Sequence, residues 1–452
     1  MEETKEQLNR RTFIQTLSAA TIGAGLSAPT ILTAGADTAK PALLGGPKAH
    51  PGQFPQWPIF DKSEHSALSE TLESRHWGRL NNNSTVKKFE AEYSRLTGAE
   101  RTLAVSSGTS ALYTILGALD IGPGDEVVIP VYTFIATYNV VALNYALPVF
   151  VDTDPESFQI DASKIEGALT KNTKVIMPVH IGGSPADLDR IIPIGQRAGI
   201  PVVEDACQAH LAEWKGKKVG TIGLAGAFSF QSSKNLNSGE GGAIITNNSK
   251  FADACYDFHN QGRGGNTSGF LAGSTGTRGT NLRMTEFQGS LLRAQMARVN
   301  AQTKHRWENA QYLNKMLAEI PGITPAKLHA GTTMSAYHLY MFRYNKAHFA
   351  GLSREKFLEA LTAEGIPNSP GYGRMNSETY VTALAGNRHY LSVYGEKRMK
   401  EWLEQNQCPQ NDHLTKNESV WLFQTMLLGS RQEMEQIVEA VRKIQKYAKE
   451  LA

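Results

Sequence analysis

The chain has 452 residues, of which 41% are hydrophobic and 20% are charged, a globular composition that argues against a disordered or fibrous protein. The formal net charge is only +3, and no dense stripe of Lys and Arg with interleaved aromatic residues occurs, so nucleic acid is not an expected partner. The three cysteines form no CxxC pair and no His/Cys cluster at ligand spacing, which argues against a disulfide framework and against a metal site.

Residues 1–36 are expected to be a targeting segment outside the fold. Arg10 and Arg11 precede two apolar residues and a run of small, weakly apolar residues, a pattern that resembles a twin-arginine export signal. The run is short and Pro29 interrupts it, so it is a poor membrane-spanning helix. We expect export to the periplasm or cell envelope, with membrane contact only through an uncleaved signal. A frayed terminus on a cytoplasmic protein is the alternative.

From residue 101 onward, short β-branched runs alternate with longer helical segments. Strands are predicted at TLAV, EVVIP, PVFVD, KVIMPVH, PVVEDA, AFSF and GAIIT. Helices are predicted at ALYTILGAL, IATYNVVALNYA and DLDRIIPIGQRA, with another that Asp161 caps. This alternation predicts an α/β fold with a mainly parallel sheet between helices, whose ligands bind beyond the carboxyl ends of the strands.

After Glu286 the pattern changes to long amphipathic helices, beginning with FQGSLLRAQMARVNAQTKHRWENAQYLNKMLAEI. We therefore expect a large domain over residues 37–290 and a smaller C-terminal α/β domain over residues 291–452, and we leave open that the first residues of the large domain pack on the small one. Residues 261–279 form a Gly/Ser/Thr-rich insertion that we expect to affect access to the site.

The segment SSGTSAL follows the first predicted strand and runs directly into a helix. Free backbone amides at a helix N-terminus attract anions, and the hydroxyls of Ser107 and Thr109 on either side of Gly108 add hydrogen-bond donors. A phosphate fits such a turn. A serine that only caps the helix is an equally good interpretation of this segment alone.

Two other strand ends carry residues with a chemical role. The strand PVVEDA ends in Asp205, followed by Gln208, and a carboxylate at the tip of a buried strand needs a cationic or hydrogen-bonding partner. Phe134 follows another strand and could stack on an aromatic ligand, although an aromatic residue there more often packs in the core.

The stretch FSFQSSKNLNSGEGG brings a lysine to the same sheet edge. Ser229 ends a strand, and Lys234 follows five positions later. An anion cradle, a buried acid, a flat ring and a lysine amine are together what pyridoxal 5'-phosphate requires. Lys234 is then the residue that holds the cofactor aldehyde as a Schiff base.

These motifs resemble the DegT/StrS-type sugar aminotransferases, which are fold-type I pyridoxal-phosphate enzymes, and the resemblance extends from about residue 54 to the C-terminus. It is carried by SSGTSAL, GPGDEVVIPVYTFIAT, PVFVDTD, PVHIGG, VEDACQAH, FSFQSSKNLNSGEGG, GTNLRMTEFQ and YHLYMFRY. The resemblance implies that Ser107, Gly108, Thr109 and Ser229 contact the cofactor phosphate, that Phe134 stacks on its ring, that Asp205 pairs with the pyridine nitrogen and that Gln208 contacts the ring oxygen.

The resemblance also implies roles in catalysis and assembly. Lys234 would carry the proton between substrate and cofactor after it releases the cofactor, with Asp205 keeping the ring protonated. Asn281 would reach the cofactor phosphate of a neighbouring subunit, which implies a homodimer, and His338 would lie near the substrate.

The expected reaction is amino transfer from glutamate or glutamine to a keto-sugar or keto-cyclitol. Two branches of the family come closest over the full length: the inosose aminotransferases and the 3-amino-5-hydroxybenzoate synthases, which use the same site for dehydration and aromatisation. A protein that binds the cofactor without turnover is a further alternative, against which the intact Lys234, Asp205 and Gln208 count.

Overall fold

The computed structural model describes residues 39–81, 83–264 and 277–452. The predicted export signal at residues 1–36 lies outside these ranges, as do residues 265–276 of the insertion. Among the helices of the described ranges, none is both long enough and apolar enough to cross a bilayer.

Each predicted strand segment contains a strand, with bounds that differ by a few residues, and short strands occur in addition. In chain order they are β1 (Arg101–Val105), β2 (Glu126–Pro130), β3 (Leu147–Val151), β4 (Thr173–Ile176), β5 (Val203–Asp205), β6 (Glu213–Trp214), β7 (Lys217–Lys218), β8 (Ala225–Ser229), β9 (Gly242–Thr246), β10 (Ile323–Pro325), β11 (Thr332–Met334), β12 (Leu339–Tyr344) and β13 (Ser419–Phe423).

The strands before residue 250 build the sheet that positions the site. β2 lies between β3 and β4 and is parallel to both, and β5 is parallel to β8. Parallel bridges from Ile176 to Val202 and from Val179 to Asp205 join these two groups. β9 is antiparallel to its neighbours β8 and β1. The predicted mainly parallel sheet is confirmed, and the carboxyl ends of β1, β2, β5 and β8 meet at one edge.

The central strands of this sheet are buried along their whole length, because helices cover both faces. The helices are α1 (Lys62–Ser74), α2 (Thr85–Thr97), α3 (Gly108–Ala118), α4 (Ile135–Leu143), α5 (Ala162–Ala168), α6 (Leu188–Ala198), α7 (Ser249–His259), α8 (Glu286–Ala318), α9 (Arg354–Ala363), α10 (Thr379–Thr382), α11 (Arg388–Gln405), α12 (Pro409–His413), α13 (Arg431–Lys446) and α14 (Ala448–Leu451).

Polar side chains set where these helices begin. Asp161 caps α5, as predicted, because its carboxylate accepts a hydrogen bond from Ser163 N at 3.0 Å. Thr285 caps α8 and forms a capping box with Gln288. On one face of the sheet, α3 and α4 pack against β2 in a shared apolar cluster; on the other, α2 and α8 pack against Phe228 and Phe230.

The C-terminal part has its own apolar cluster around the antiparallel sheet β10-β12-β13, with α9, α13 and the end of α8 packed on it. The first described residues also pack there: Ala42 N and Ala49 N each donate to the Glu364 carboxylate at 2.7 Å. α8 runs through the expected domain boundary at residue 290, and residues Ala39–Ala452 form one compact unit by their contacts. The division at 290 stays a prediction.

Candidate active site

A cavity of about 770 Å³ opens at the carboxyl edge of the sheet. Its walls come from the segments that follow β1, β2, β5 and β8, and from the C-terminal part of the chain. The lining residues with polar or aromatic side chains include Trp57, Ser107, Thr109, Thr133, Phe134, Thr137, Asp205, Gln208, Ser229, Lys234, His338, Tyr372, Trp421 and Gln424. The predicted residues from five separate motifs therefore meet in one place.

Ser107 both caps a helix and lines the cavity. Its Oγ accepts a hydrogen bond from Ser110 N at 3.0 Å, so the capping interpretation holds. The amides of Gly108 and Thr109 start the helix and have no acceptor within it. A Cβ on Gly108 would lie 2.6 Å from Ser229 Cβ and 3.0 Å from Cys207 Sγ, so only glycine allows the turn to approach Ser229 this closely. The turn is thus a helix cap that also presents donors to an anion.

Asp205 ends β5 and is 4% exposed. Its Oδ2 accepts a hydrogen bond from Thr137 Oγ1 at 2.9 Å, and its Oδ1 accepts one from Cys207 N at 3.2 Å. These donors stabilise the ionised carboxylate in a buried position, and its remaining lone pairs are available to a ligand in the cavity. A carboxylate held in this way can pair with a protonated ring nitrogen.

Lys234 follows β8, and its side chain is half-buried in the cavity wall. Burial lowers the pKa of the Lys234 ammonium, whereas Cys207 and Asp205 act in the opposite direction. Burial also raises the pKa of the Cys207 thiol well above its usual range, so the thiol is neutral at pH 7. Asp205 is therefore the anion that counters the effect of burial. A lysine with a lowered pKa is suited to act as a nucleophile and as a base.

Phe134 stands at the N-cap of α4, and 54% of its surface is exposed. This exposure excludes the core-packing alternative for Phe134, and its position in the cavity wall allows it to face a flat ligand. Gln208 is fixed at both ends of its carboxamide: Oε1 accepts from Gly182 N at 2.8 Å, and Nε2 donates to Tyr372 Oη at 2.9 Å.

Ser229 is positioned by a buried histidine. The Ser229 carbonyl accepts a hydrogen bond from His210 Nε2 at 2.8 Å, and Tyr93 Oη lies 3.3 Å from His210 Nδ1. Burial lowers the pKa of His210 to about 3, so the imidazole is neutral. Because a carbonyl only accepts, the proton is on Nε2, and Nδ1 accepts from the tyrosine. This chain of hydrogen bonds fixes the end of β8.

His338 lines the cavity from the C-terminal part and is 7% exposed. Its Nδ1 is 3.2 Å from Asn235 Oδ1, and the Asn235 amide nitrogen donates to Ala336 O at 2.7 Å. Burial lowers the pKa of His338 well below its usual value, so the ring is neutral and can donate only from the nitrogen that carries its proton. Its substrate role stays a prediction.

Asn281 is the predicted site residue that does not line this cavity. It is exposed, its backbone forms an antiparallel bridge with Asn260, and its Oδ1 accepts from Arg283 N at 3.4 Å. The prediction that it serves a neighbouring subunit stays open.

Several cavity residues were missed by sequence reasoning. Thr137 lies on α4, one turn after Phe134, and its hydrogen bond to Asp205 at the end of β5 joins two segments that are distant along the chain, so no local pattern predicts it. Tyr372, Trp421 and Gln424 come from a distant part of the chain, and no local pattern marks them. Within the described ranges, no group of three or more His, Cys, Asp or Glu side chains is arranged to hold a metal ion.

Comparisons with known proteins identify the family to which this chain is similar. Residues 58–392 match the DegT/DnrJ/EryC1/StrS aminotransferase family. The chain is 32% identical to L-glutamine:2-deoxy-scyllo-inosose aminotransferase of Streptoalloteichus tenebrarius, over 91% of this chain and 98% of that protein. It is 30% identical to 3-amino-5-hydroxybenzoate synthase of Amycolatopsis mediterranei, over 86% of this chain and 96% of that one. A crystal structure of 3-amino-5-hydroxybenzoic acid synthase superposes with a TM-score of 0.77 at 30% identity, over 87% of this chain and 98% of that chain.

Proposed function

The chain belongs to the DegT/DnrJ/EryC1/StrS aminotransferase family, and we propose that it uses pyridoxal phosphate to transfer the amino group of glutamine or glutamate to a keto-cyclitol or keto-sugar. The observation that carries this proposal is the convergence of Lys234, Asp205 and the turn at Ser107 in one cavity. The names of the relatives, which include L-glutamine:2-deoxy-scyllo-inosose aminotransferase, support the donor and the acceptor class.

The residues present fit this cofactor. The close approach of Gly108 to Ser229 leaves a cradle of amides and hydroxyls for a phosphate, together with Ser107 and Thr109. Asp205 is a buried carboxylate with lone pairs to spare for a ring nitrogen, and Phe134 is an exposed ring at the cavity wall. When bound, pyridoxal phosphate supplies an electron sink that acidifies the carbon carrying the amine.

Three side chains of the cavity then have separate roles in the reaction. Lys234 Nζ would hold the cofactor aldehyde in the resting enzyme and, when free, would accept the proton from the carbon that carries the amine and deliver it to the cofactor, in the reverse order for the acceptor; its lowered pKa suits this role. The negative charge of Asp205 keeps the ring nitrogen protonated. The Gln208 carboxamide keeps one orientation in the cavity, because it is hydrogen-bonded to Gly182 and Tyr372.

The test is a half-reaction on purified, cofactor-loaded protein. L-Glutamine or L-glutamate should remove the visible absorbance band of the lysine-bound cofactor and release one 2-oxo acid per site. A keto-cyclitol such as scyllo-inosose, or a nucleotide-linked keto-sugar, should then restore the band. Lys234→Ala should lack the initial band, whereas Lys217→Ala, which removes an exposed lysine of β7, should behave as wild type.

A second candidate function is dehydration and aromatisation of the 3-amino-5-hydroxybenzoate synthase type, because one relative and one solved structure carry that name. Loss of water from an aminated shikimate-type precursor, without amine transfer, would favour it. A band that no amino donor alters would contradict amino transfer and would favour either this dehydration or a protein that binds the cofactor without turnover.

We also propose that the active unit is a homodimer in which Asn281 serves the partner's phosphate site. The exposure of Asn281 supports this, since its side chain lies outside the cavity of its own chain. Sedimentation velocity at assay concentration should give a dimer, and a fully active monomer would exclude this assembly.

Export through the twin-arginine route is proposed from the Arg10-Arg11 pattern alone.

A further inference from the structure

One buried cation beside the cavity has no anionic partner. Arg306, on α8, is 0% exposed. Its Nε donates to Gln424 Oε1 at 2.8 Å, but Nη1 and Nη2 have no hydrogen-bond partner among the described residues, and none of the ion pairs of the described chain includes this side chain. A buried charge without a partner is costly in free energy, so the two unpaired Nη groups call for an anionic partner.

The neighbours of Arg306 belong to the cavity wall. Its guanidinium carbon lies 5.1 Å from the centre of the Trp57 ring, and Trp57 and Gln424 both line the cavity. The positive charge of Arg306 also contributes to the lowered pKa of the cavity residue His338, after the larger effects of burial, Lys234 and His210. Arg306 itself is not among the lining residues, so its unpartnered donors lie directly behind this wall.

The arrangement fixes the guanidinium and leaves its two buried Nη atoms without a hydrogen-bond partner among the described residues. Gln424 holds Nε, and the Trp57 ring supports the planar group, so the two Nη atoms remain as a fork. Trp57 Nε1 is a further buried donor without an acceptor among the described residues. Burial lowers the pKa of Arg306 to about 9, so the side chain is still charged at pH 7. A fork of this kind matches the two oxygens of a carboxylate.

We propose that Arg306, held by Trp57 and Gln424, binds the α-carboxylate of the amino-acid donor. This rests on the proposed function, in which glutamine or glutamate always brings that carboxylate while a keto-cyclitol offers hydroxyl groups. The cofactor phosphate has its own cradle at Ser107 and Ser229, so it does not require this cation. Arg306 is thereby a specificity determinant for the donor.

Binding of an unreactive carboxylate to the cofactor-loaded protein tests the site without turnover. Calorimetry should show that glutarate binds more tightly than the neutral glutaramide, by about 10- to 100-fold for a charge-assisted pair. Arg306→Met should abolish this preference, and Arg306→Lys should keep only part of it because the fork is lost. Arg293→Met is the matched control, since Arg293 lies on the same helix but pairs with Glu92 at the surface.

A second variant distinguishes a loss of the binding site from a folding defect caused by substitution of the buried arginine. Gln424→Glu keeps the shape and gives Arg306 a permanent carboxylate partner, so the fold should be as stable as wild type while glutarate binding falls at least about tenfold. Unchanged glutarate binding in this variant, or equal affinity of the wild type for glutarate and glutaramide, would overturn the proposal.

The half-reaction distinguishes the donor from the acceptor as the source of the anion. Wild type should react with L-glutamine far faster than with L-glutaminol, which lacks the carboxylate, and Arg306→Met should react with both at a similar low rate. If Arg306→Met reacts with L-glutamine as wild type does while glutarate binding is lost, the site binds an anion other than the α-carboxylate of the donor, and the donor assignment is wrong. If wild type fails to react with any amino donor, the proposed function itself fails.

Discussion

Among the single residues of the site, Asp205 controls the electrostatics of the cavity. Asp205→Asn keeps an acceptor for Thr137 Oγ1 but removes the charge, so we predict a fall in the amino-transfer rate of about 10²- to 10³-fold, as for loss of one electrostatic stabiliser. Because Asp205 raises the pKa of Lys234, the substitution should lower that pKa further.

Labelling of the cofactor-free protein with an amine-specific reagent checks the second effect, since only the neutral amine reacts. The half-maximal labelling of Lys234 should move to lower pH in Asp205→Asn, and labelling of the exposed Lys217 should not move. A shift toward higher pH, or a rate within a factor of two of wild type, would contradict the role given to Asp205.

His210 gives the fold a predictable dependence on pH. Its pKa is about 3 in the folded protein and about 6.5 when unfolded, so between these values the unfolded chain binds the extra proton. The contribution of the neutral ring to stability is complete above pH 6.5 and is lost progressively as the pH falls toward 3.

We therefore expect His210→Gln, which can still donate to Ser229 O, to lose less stability than wild type between pH 7 and pH 5. The difference should be on the order of 2 kcal/mol in the free energy of unfolding, measured by urea titration at both pH values. Parallel losses in the two proteins would show that His210 does not carry this proton linkage.

At the scale of elements, the turn between β1 and α3 must come close to the end of β8. Gly108→Ala places a Cβ 2.6 Å from Ser229 Cβ, so the turn or the strand has to move and the anion cradle opens. We predict that cofactor affinity falls at least about tenfold while the helices remain folded, by analogy with misplaced site residues. Equilibrium dialysis with pyridoxal phosphate measures this.

Gly167→Ala is the control, because a Cβ there meets no atom within 4 Å and the residue lies inside α5. Equal cofactor affinity in the two alanine variants would mean that the close approach of the turn is not needed.

The elements were predictable where local patterns determine them. Buried β-branched runs specified the strands, and Asp161 specified a helix start. The antiparallel direction of β9 depends on which strands become neighbours, and a single run of apolar residues does not encode that. The short strands β6, β7 and β11 lack enough residues to give a periodic signal.

The candidate site shows the same division. Asp205 and Ser229 end recognisable strands, and Phe134 and Lys234 come a few residues after such strands, so their convergence follows from the parallel sheet. Arg306 lies within α8, and the sequence pattern of that helix predicts only that one of its faces is buried. That the Arg306 charge has no partner is seen only in the folded chain, where Trp57 and Gln424 lie beside it. Partners that are distant along the chain are what the sequence alone leaves undetermined.

At the scale of the whole molecule, export in the folded state is predicted from residues 1–36. A cofactor bonded to Lys234 is held only by an assembled cavity, so a route that carries folded proteins is the compatible one. In the native host, the full chain should fractionate with the periplasm or envelope, and the Arg10→Lys, Arg11→Lys double variant should stay in the cytoplasm. The same cytoplasmic location for both, with residues 1–36 intact by mass spectrometry, would exclude export and leave the enzymatic proposal untouched.

This cavity is proposed to transfer an amino group from an amino acid to a cyclic ketone. The most direct measurement uses L-glutamine labelled at its α-amino nitrogen, the cofactor-loaded protein and 2-deoxy-scyllo-inosose, the compound in the name of one relative, with other inososes and nucleotide-linked keto-sugars in parallel. Mass spectrometry should find the labelled nitrogen in an aminated ring product with wild type and Lys217→Ala, and none with Lys234→Ala. If the label remained entirely in the amino acid with every ketone, although the cofactor is bound, this result would contradict amino transfer by this protein.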